Sequence, residues 1–65
     1  MKWIDIEDIA ENLESKYPDI DILRVRFTDL SNYVQSIEGF NDDPVRCNEK
    51  ILEAIQSAWL EIRDE

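Results

Sequence analysis

The chain has no histidine, one cysteine, one glycine and only seven Lys and Arg among its 65 residues. Each shortage excludes a class of function. Without histidine there is no Ser-His-Asp triad and no imidazole metal site. One cysteine, Cys47, makes neither an internal disulfide nor a Cys-x-x-Cys zinc or redox site, which fits a reducing compartment. One glycine leaves no Gly-rich phosphate loop. No apolar run approaches the roughly 18 residues of a membrane span, and Met1-Lys2-Trp3-Ile4-Asp5 holds no signal-peptide h-region. A cytoplasmic chain with no membrane partner is expected. Its 65 residues suit one domain, 1–65. A domain this size buries only roughly 60% of its unfolded surface, too little to enclose a deep substrate cavity and a catalytic shell.

What the chain does have is acid. Sixteen Asp and Glu give a net charge of −9. That opposes nucleic-acid phosphates and anionic membranes as partners and favours basic protein surfaces or cations. The chain is nonetheless built to fold. Leu, Ile, Val and Phe number 19 of 65, above the ~20% below which highly charged chains stay disordered.

The apolar spacing predicts three amphipathic helices. Ile6, Ile9, Ala10, Leu13 and Tyr17 form one stripe over Ile6 to Tyr17, with Asp5 as N-cap, Asp8 at N3, and Ile4 and Ile9 at the staple positions. Pro18 ends it. Leu30, Tyr33, Val34 and Ile37 mark a second helix capped by Thr28, with Gly39 where a positive φ is needed. Phe40 to Arg46 reads as a loop, with Asn41-Asp42-Asp43-Pro44 as turn chemistry. A third helix runs from Asn48 to Arg63, with Ile51, Leu52, Ile55, Ala58, Trp59 and Ile62 on its core face. Between the first two helices, Leu23, Val25 and Phe27 alternate with Arg24 and Arg26, which suits a short strand. Trp3 and Ile4 could pair with it, while Ile20 and Ile22 could instead belong to a helical turn. The expected fold is mainly α with a small β-ribbon, and both tryptophans are expected in or at the edge of the core.

The carboxylates are unevenly placed. Glu7, Asp8, Glu11 and Glu14 share the polar face of the first helix with no Lys or Arg before Lys16. Like charges at i,i+3 and i,i+4 cost a helix a few tenths of a kcal/mol each, about 0.2–0.5. The helix dipole offsets this only for Asp5, Glu7 and Asp8 in the first turn. A plain solvated face usually mixes Lys with Glu. The imbalance therefore suits a contact surface for a basic partner or a hard cation. Asp42 and Asp43, between Glu38 and Glu49, form a second acidic group and supply oxygen ligands of the kind hard cations take. No EF-hand is expected, since the one Asp-x-Asp start, Asp19-Ile20-Asp21, lacks both the sixth-position Gly and a properly placed Glu. A cation site here would be open and weak, with a dissociation constant on the order of 10⁻⁵ to 10⁻³ M. Arg24 and Arg26 read as surface balance, and Cys47 as a small structural residue before the last helix. With no nucleophile and base pair present, the chemistry suits a binding module and not an enzyme.

Lys2-Trp3, Tyr17-Pro18-Asp19, Val25-Arg26-Phe27-Thr28-Asp29-Leu30, Asp42-Asp43-Pro44, Asn48-Glu49-Lys50-Ile51-Leu52-Glu53-Ala54-Ile55 and Trp59-Leu60 together resemble the IscX (YfhJ) family. These are small acidic proteins of bacterial iron–sulphur cluster assembly, and the resemblance covers essentially the whole chain. It implies a modified winged-helix (helix-turn-helix) fold and a monomer. It implies docking on a basic surface of the cysteine desulfurase IscS, in competition with bacterial frataxin, and weak binding of Fe²⁺ or Fe³⁺ by surface carboxylates. Carried onto this chain, it places metal at Asp5, Asp8, Glu11, Asp42 and Asp43. It places partner contacts at Glu7, Asp8, Glu11, Glu14, Asp29, Asp42 and Asp43. Gly39 and Asn41 stand where the family tends to carry acids, which shifts the expected iron site toward the first helix. Cys47 stands for a usual Ser, so a weaker cap on the last helix is expected. The competing reading is an acidic interaction module with no metal role.

Overall fold

A computed structural model describes all residues, Met1–Glu65. It contains α1 (Ile6–Lys16), α2 (Phe27–Gln35) and α3 (Glu49–Asp64), with two single 3₁₀ turns at Ile22–Arg24 and Pro44–Arg46. α1 packs chiefly on α3, and α2 closes the core from the side of both. The predicted apolar stripes are the buried ones. Ile9, Ala10 and Leu13 of α1, Leu30 and Val34 of α2, and Leu52, Ile55 and Trp59 of α3 join Trp3, Ile22 and Ile37 in one core. Both tryptophans lie fully inside it, and every buried residue is apolar.

The expected β-ribbon is absent, and with it the strands of a wing. The structure has no strand at all. The reason lies in which isoleucine the core takes. Ile22 is buried and Leu23 is exposed, so the 22–25 segment closes as a turn, with Val25 N–H donating to Ile22 C=O at 3.2 Å. Ile22 and Val25, three apart, then face inward, and the alternation of Leu23, Val25 and Phe27 is not used. Gln56 of α3 pins this turn by donating to Ile22 C=O at 3.1 Å.

Trp3 likewise pairs with no strand. Its backbone N–H donates to Asp42 Oδ2 at 3.1 Å, and its indole N–H to Asp43 C=O at 2.9 Å. Asn41 N–H donates to Met1 C=O at 3.0 Å, and Phe40 meets the Trp3 ring edge-on at 4.8 Å. The residues before α1 are thus held by the 40–43 loop.

Four local expectations are also corrected. Asp5 precedes α1 but does not cap it, because its carboxylate accepts from Lys2 N–H at 2.9 Å. The staple does not form: Ile9 is buried while Ile4 is 80% exposed. α2 starts two residues earlier than a Thr28 cap requires, after Arg26, leaving Thr28 inside the helix. Gly39 does take a positive φ of 89°, but four residues beyond the last helical residue, Gln35, as the third residue of the Ile37–Phe40 turn.

The last helix is capped well. Asn48 accepts from Ile51 N–H at 2.9 Å, so Cys47 has no capping task. Asn48→Ala should lower stability by about 1 kcal/mol. That is a large share of the ~3–10 kcal/mol expected for a chain of this length. Urea unfolding should show the midpoint fall for Asn48→Ala and stay within error for Cys47→Ser.

Candidate functional site: an acidic face on two helices

The exposed carboxylates of α1 do not stand alone. Glu7 and Glu11 form one wall of a shallow groove of about 180 Å³, and Glu61 of α3 with Glu65 just past its end form the other, with Ala58 and Ile62 between. No Lys or Arg lines it. Asp8 lies beside it on α1, exposed. Glu61 and Glu65 were not foreseen. The signal was present, since residues 58, 61 and 62 share a face of α3 that Glu65 continues past its end. Only the packing of α1 on α3 brings that face beside Glu7 and Glu11.

Glu14, expected on the same face, is turned to structural work. It is half-buried, and its Oε1 accepts from Trp59 Nε1–H at 2.9 Å and from Arg63 Nε–H at 3.0 Å and Nη2–H at 2.7 Å. Arg63 also donates to Tyr17 C=O at 2.8 Å and to Ile20 C=O. These two carbonyls lie just past α1. One guanidinium therefore closes the end of α1 and ties it to the end of α3.

The loop acids are similarly engaged. Asp42 Oδ2 holds Trp3, and its Oδ1 accepts from Asp43 N–H at 2.7 Å. Asp43 Oδ1 accepts from Val45 N–H at 2.9 Å, capping the second 3₁₀ turn. Asp29 is exposed in the first turn of α2, apart from the groove. Of the expected metal ligands, Asp8 and Glu11 are free on α1, Asp5 lines a depression with Glu7 and Asp8, and Asp42 and Asp43 belong to the loop. Nowhere do three Asp, Glu or Cys side chains gather in a way that could hold a metal ion.

Glu14 and Asp42 have altered acidity. Arg63 holds Glu14 below its ordinary pKa, helped by the Trp59 N–H and opposed by partial desolvation. The Trp3 N–H holds Asp42 below its ordinary value, against desolvation, with smaller help from Asp43 N–H, Lys2 and Arg46. A depressed folded pKa stabilises the fold fully above the unfolded carboxylate pKa of about 4. The contribution is lost as pH falls through the folded value. Glu14→Gln should therefore destabilise the chain at neutral pH, and the difference from the unchanged chain should close in strong acid. Urea midpoints at about pH 7 and pH 2 check this, with the neutral-pH gap as the expected result.

Comparison with known proteins places this architecture. The chain is 47% identical over 64 residues to an uncharacterized protein of Pseudomonas aeruginosa strain PAO1, covering 98% of this chain and 97% of the relative. A family model described as iron-sulphur cluster assembly matches residues 1–64. A small all-helical domain with an acidic two-helix face, matched nearly end to end, belongs to the IscX (YfhJ) family of iron–sulphur cluster assembly proteins.

Proposed function

We propose that this chain is an acidic adaptor of iron–sulphur cluster assembly whose α1/α3 face docks on a basic surface of the cysteine desulfurase, in competition with bacterial frataxin. The observation that carries the reading is the groove in which Glu7, Glu11, Glu61 and Glu65 converge without a lining cation. Carboxylates held on two packed helices present negative charge with little ordering left to do on docking. Charge of this kind steers encounter and sets specificity more than it adds raw affinity. The double change Glu7→Lys with Glu11→Lys should weaken desulfurase binding at least about tenfold at ~50 mM salt, chiefly by slowing association. Binding of the unchanged chain should itself fall as salt rises. Affinity indifferent to both changes would refute electrostatic docking.

Iron enters this proposal as cargo or effector. Carboxylate oxygens suit a hard cation. Glu7, Asp8 and Glu11 are exposed and available to bind it loosely, whereas Asp42 and Asp43 already accept protein hydrogen bonds. A second reading, docking without a metal role, is favoured by one fact: no three acids gather into a cage. NMR with added Fe²⁺ separates them. Broadening confined to Glu7, Asp8 and Glu11 is expected for iron binding, and unbroadened signals there would remove the metal role while leaving the adaptor standing.

A further inference from the structure

We infer that Ile4 is the apolar anchor of the acidic face, and that the partner carries an aliphatic socket ringed by Lys or Arg. The inference rests on the docking reading above. Three large apolar side chains are strongly exposed in this protein: Ile4, Leu23 and Val45. Ile4 stands among the carboxylates. It lines one depression with Ile6, Asp5, Glu7 and Asp8, two apolar and three acidic residues with no cation.

Its position makes the exposure informative. Ile4 occupies the place before a helix from which a staple residue folds back onto the fourth helical position. The partner for such a staple, Ile9, is buried, yet Ile4 remains 80% exposed and contributes almost nothing to the core. The Lys2–Asp5 turn explains the direction. Asp5 N–H donates to Lys2 C=O at 3.0 Å, Lys2 N–H donates to Asp5 Oδ2 at 2.9 Å, and Trp3 takes the inward place. A turn closed at both ends holds the next side chain outward.

Interfaces combine such elements in a regular way. A few desolvated apolar side chains near the centre supply affinity, while charges at the rim supply steering. The face described so far has abundant rim charge and little apolar centre, since Ala58 and Ile62 lie in the floor of the groove. Ile4, with half-buried Ile6 beside it in a depression that shares Glu7 with the groove, supplies the apolar contact the groove lacks. The ring of three acids fixes the chemistry of the socket. Apolar walls must be bordered by cations, which excludes a lipid surface of anionic headgroups and a second copy of this −9 chain.

The test uses the purified desulfurase as probe and follows binding kinetics for Ile4→Ser, Ile4→Leu, Leu23→Ser and the Glu7→Lys/Glu11→Lys double variant. Ile4→Ser should raise Kd roughly tenfold, the change expected for losing most of an aliphatic side chain from a desolvated contact. The loss should lie in faster dissociation and persist at high salt. Ile4→Leu should retain most affinity. Leu23→Ser changes an equally exposed residue on the turn beside Gln56 and should leave binding unchanged. Thermal midpoints of the Ile4 variants should match the unchanged chain. If the charge reversal weakens binding while Ile4→Ser does not, or if Leu23→Ser costs as much as Ile4→Ser, the anchor is overturned and the docking reading stands. If the unchanged chain does not bind, or the charge reversal has no effect, the docking reading falls and takes the anchor with it.

Discussion

Everything in this protein hangs on the seating of α1 against α3. With so short a chain, the buried set is small and wholly apolar, and no layer lies behind it to absorb an error. The crossing brings Ile9, Ala10 and Leu13 into one core with Leu52, Ile55 and Trp59. Its far end is closed by polar contacts. Glu14 satisfies the indole N–H of Trp59, and Arg63 holds the Tyr17 and Ile20 carbonyls of the segment that follows α1. The other end is closed by Trp3 and the 40–43 loop. The acidic groove is a by-product of the same crossing, because its two walls belong to the two helices that the core joins.

Much of this was legible in the sequence. The three helices, their buried faces and the inward tryptophans follow from 3.6-residue periodicity, which a single dominant crossing does not disturb. The strand was misread because Leu23-Arg24-Val25-Arg26-Phe27 alternates cleanly while Ile22 and Val25 offer a competing spacing of three. Short segments are decided by which residue the core accepts, and only the assembled core shows that Ile22 fits and Leu23 does not. Helix caps were misread for a related reason. Asp5 and Thr28 are good caps in isolation, but the Lys2–Asp5 turn and the early start of α2 depend on contacts beyond the local sequence.

The carboxylates show the same limit more sharply. Glu11 and Glu14 look alike on a helical projection, yet Glu11 is free and Glu14 lies beneath Arg63, almost fifty residues distant in the chain. Asp42 and Asp43 resemble generic turn acids, yet they hold a tryptophan. Sequence reading grouped acids by proximity along one helix. The fold regroups them, moving Glu14 and the loop pair into the framework and bringing Glu61 and Glu65 into the groove beside Glu7 and Glu11. Acid-rich sequences thus overstate the charge available to a partner, while helices distant in sequence can restore it.

The uncompensated groove has a thermodynamic consequence of its own. Like charges facing each other across α1 and α3 repel, and the apolar crossing holds them together against that repulsion. Dissolved salt screens this repulsion and firms the isolated fold. The same screening loosens attachment to a cationic surface. If the chain docks as proposed, ionic strength would therefore pull folding and binding in opposite directions, and a cationic partner would do for the free helix pair what salt does, by neutralising the charge that the core must otherwise restrain.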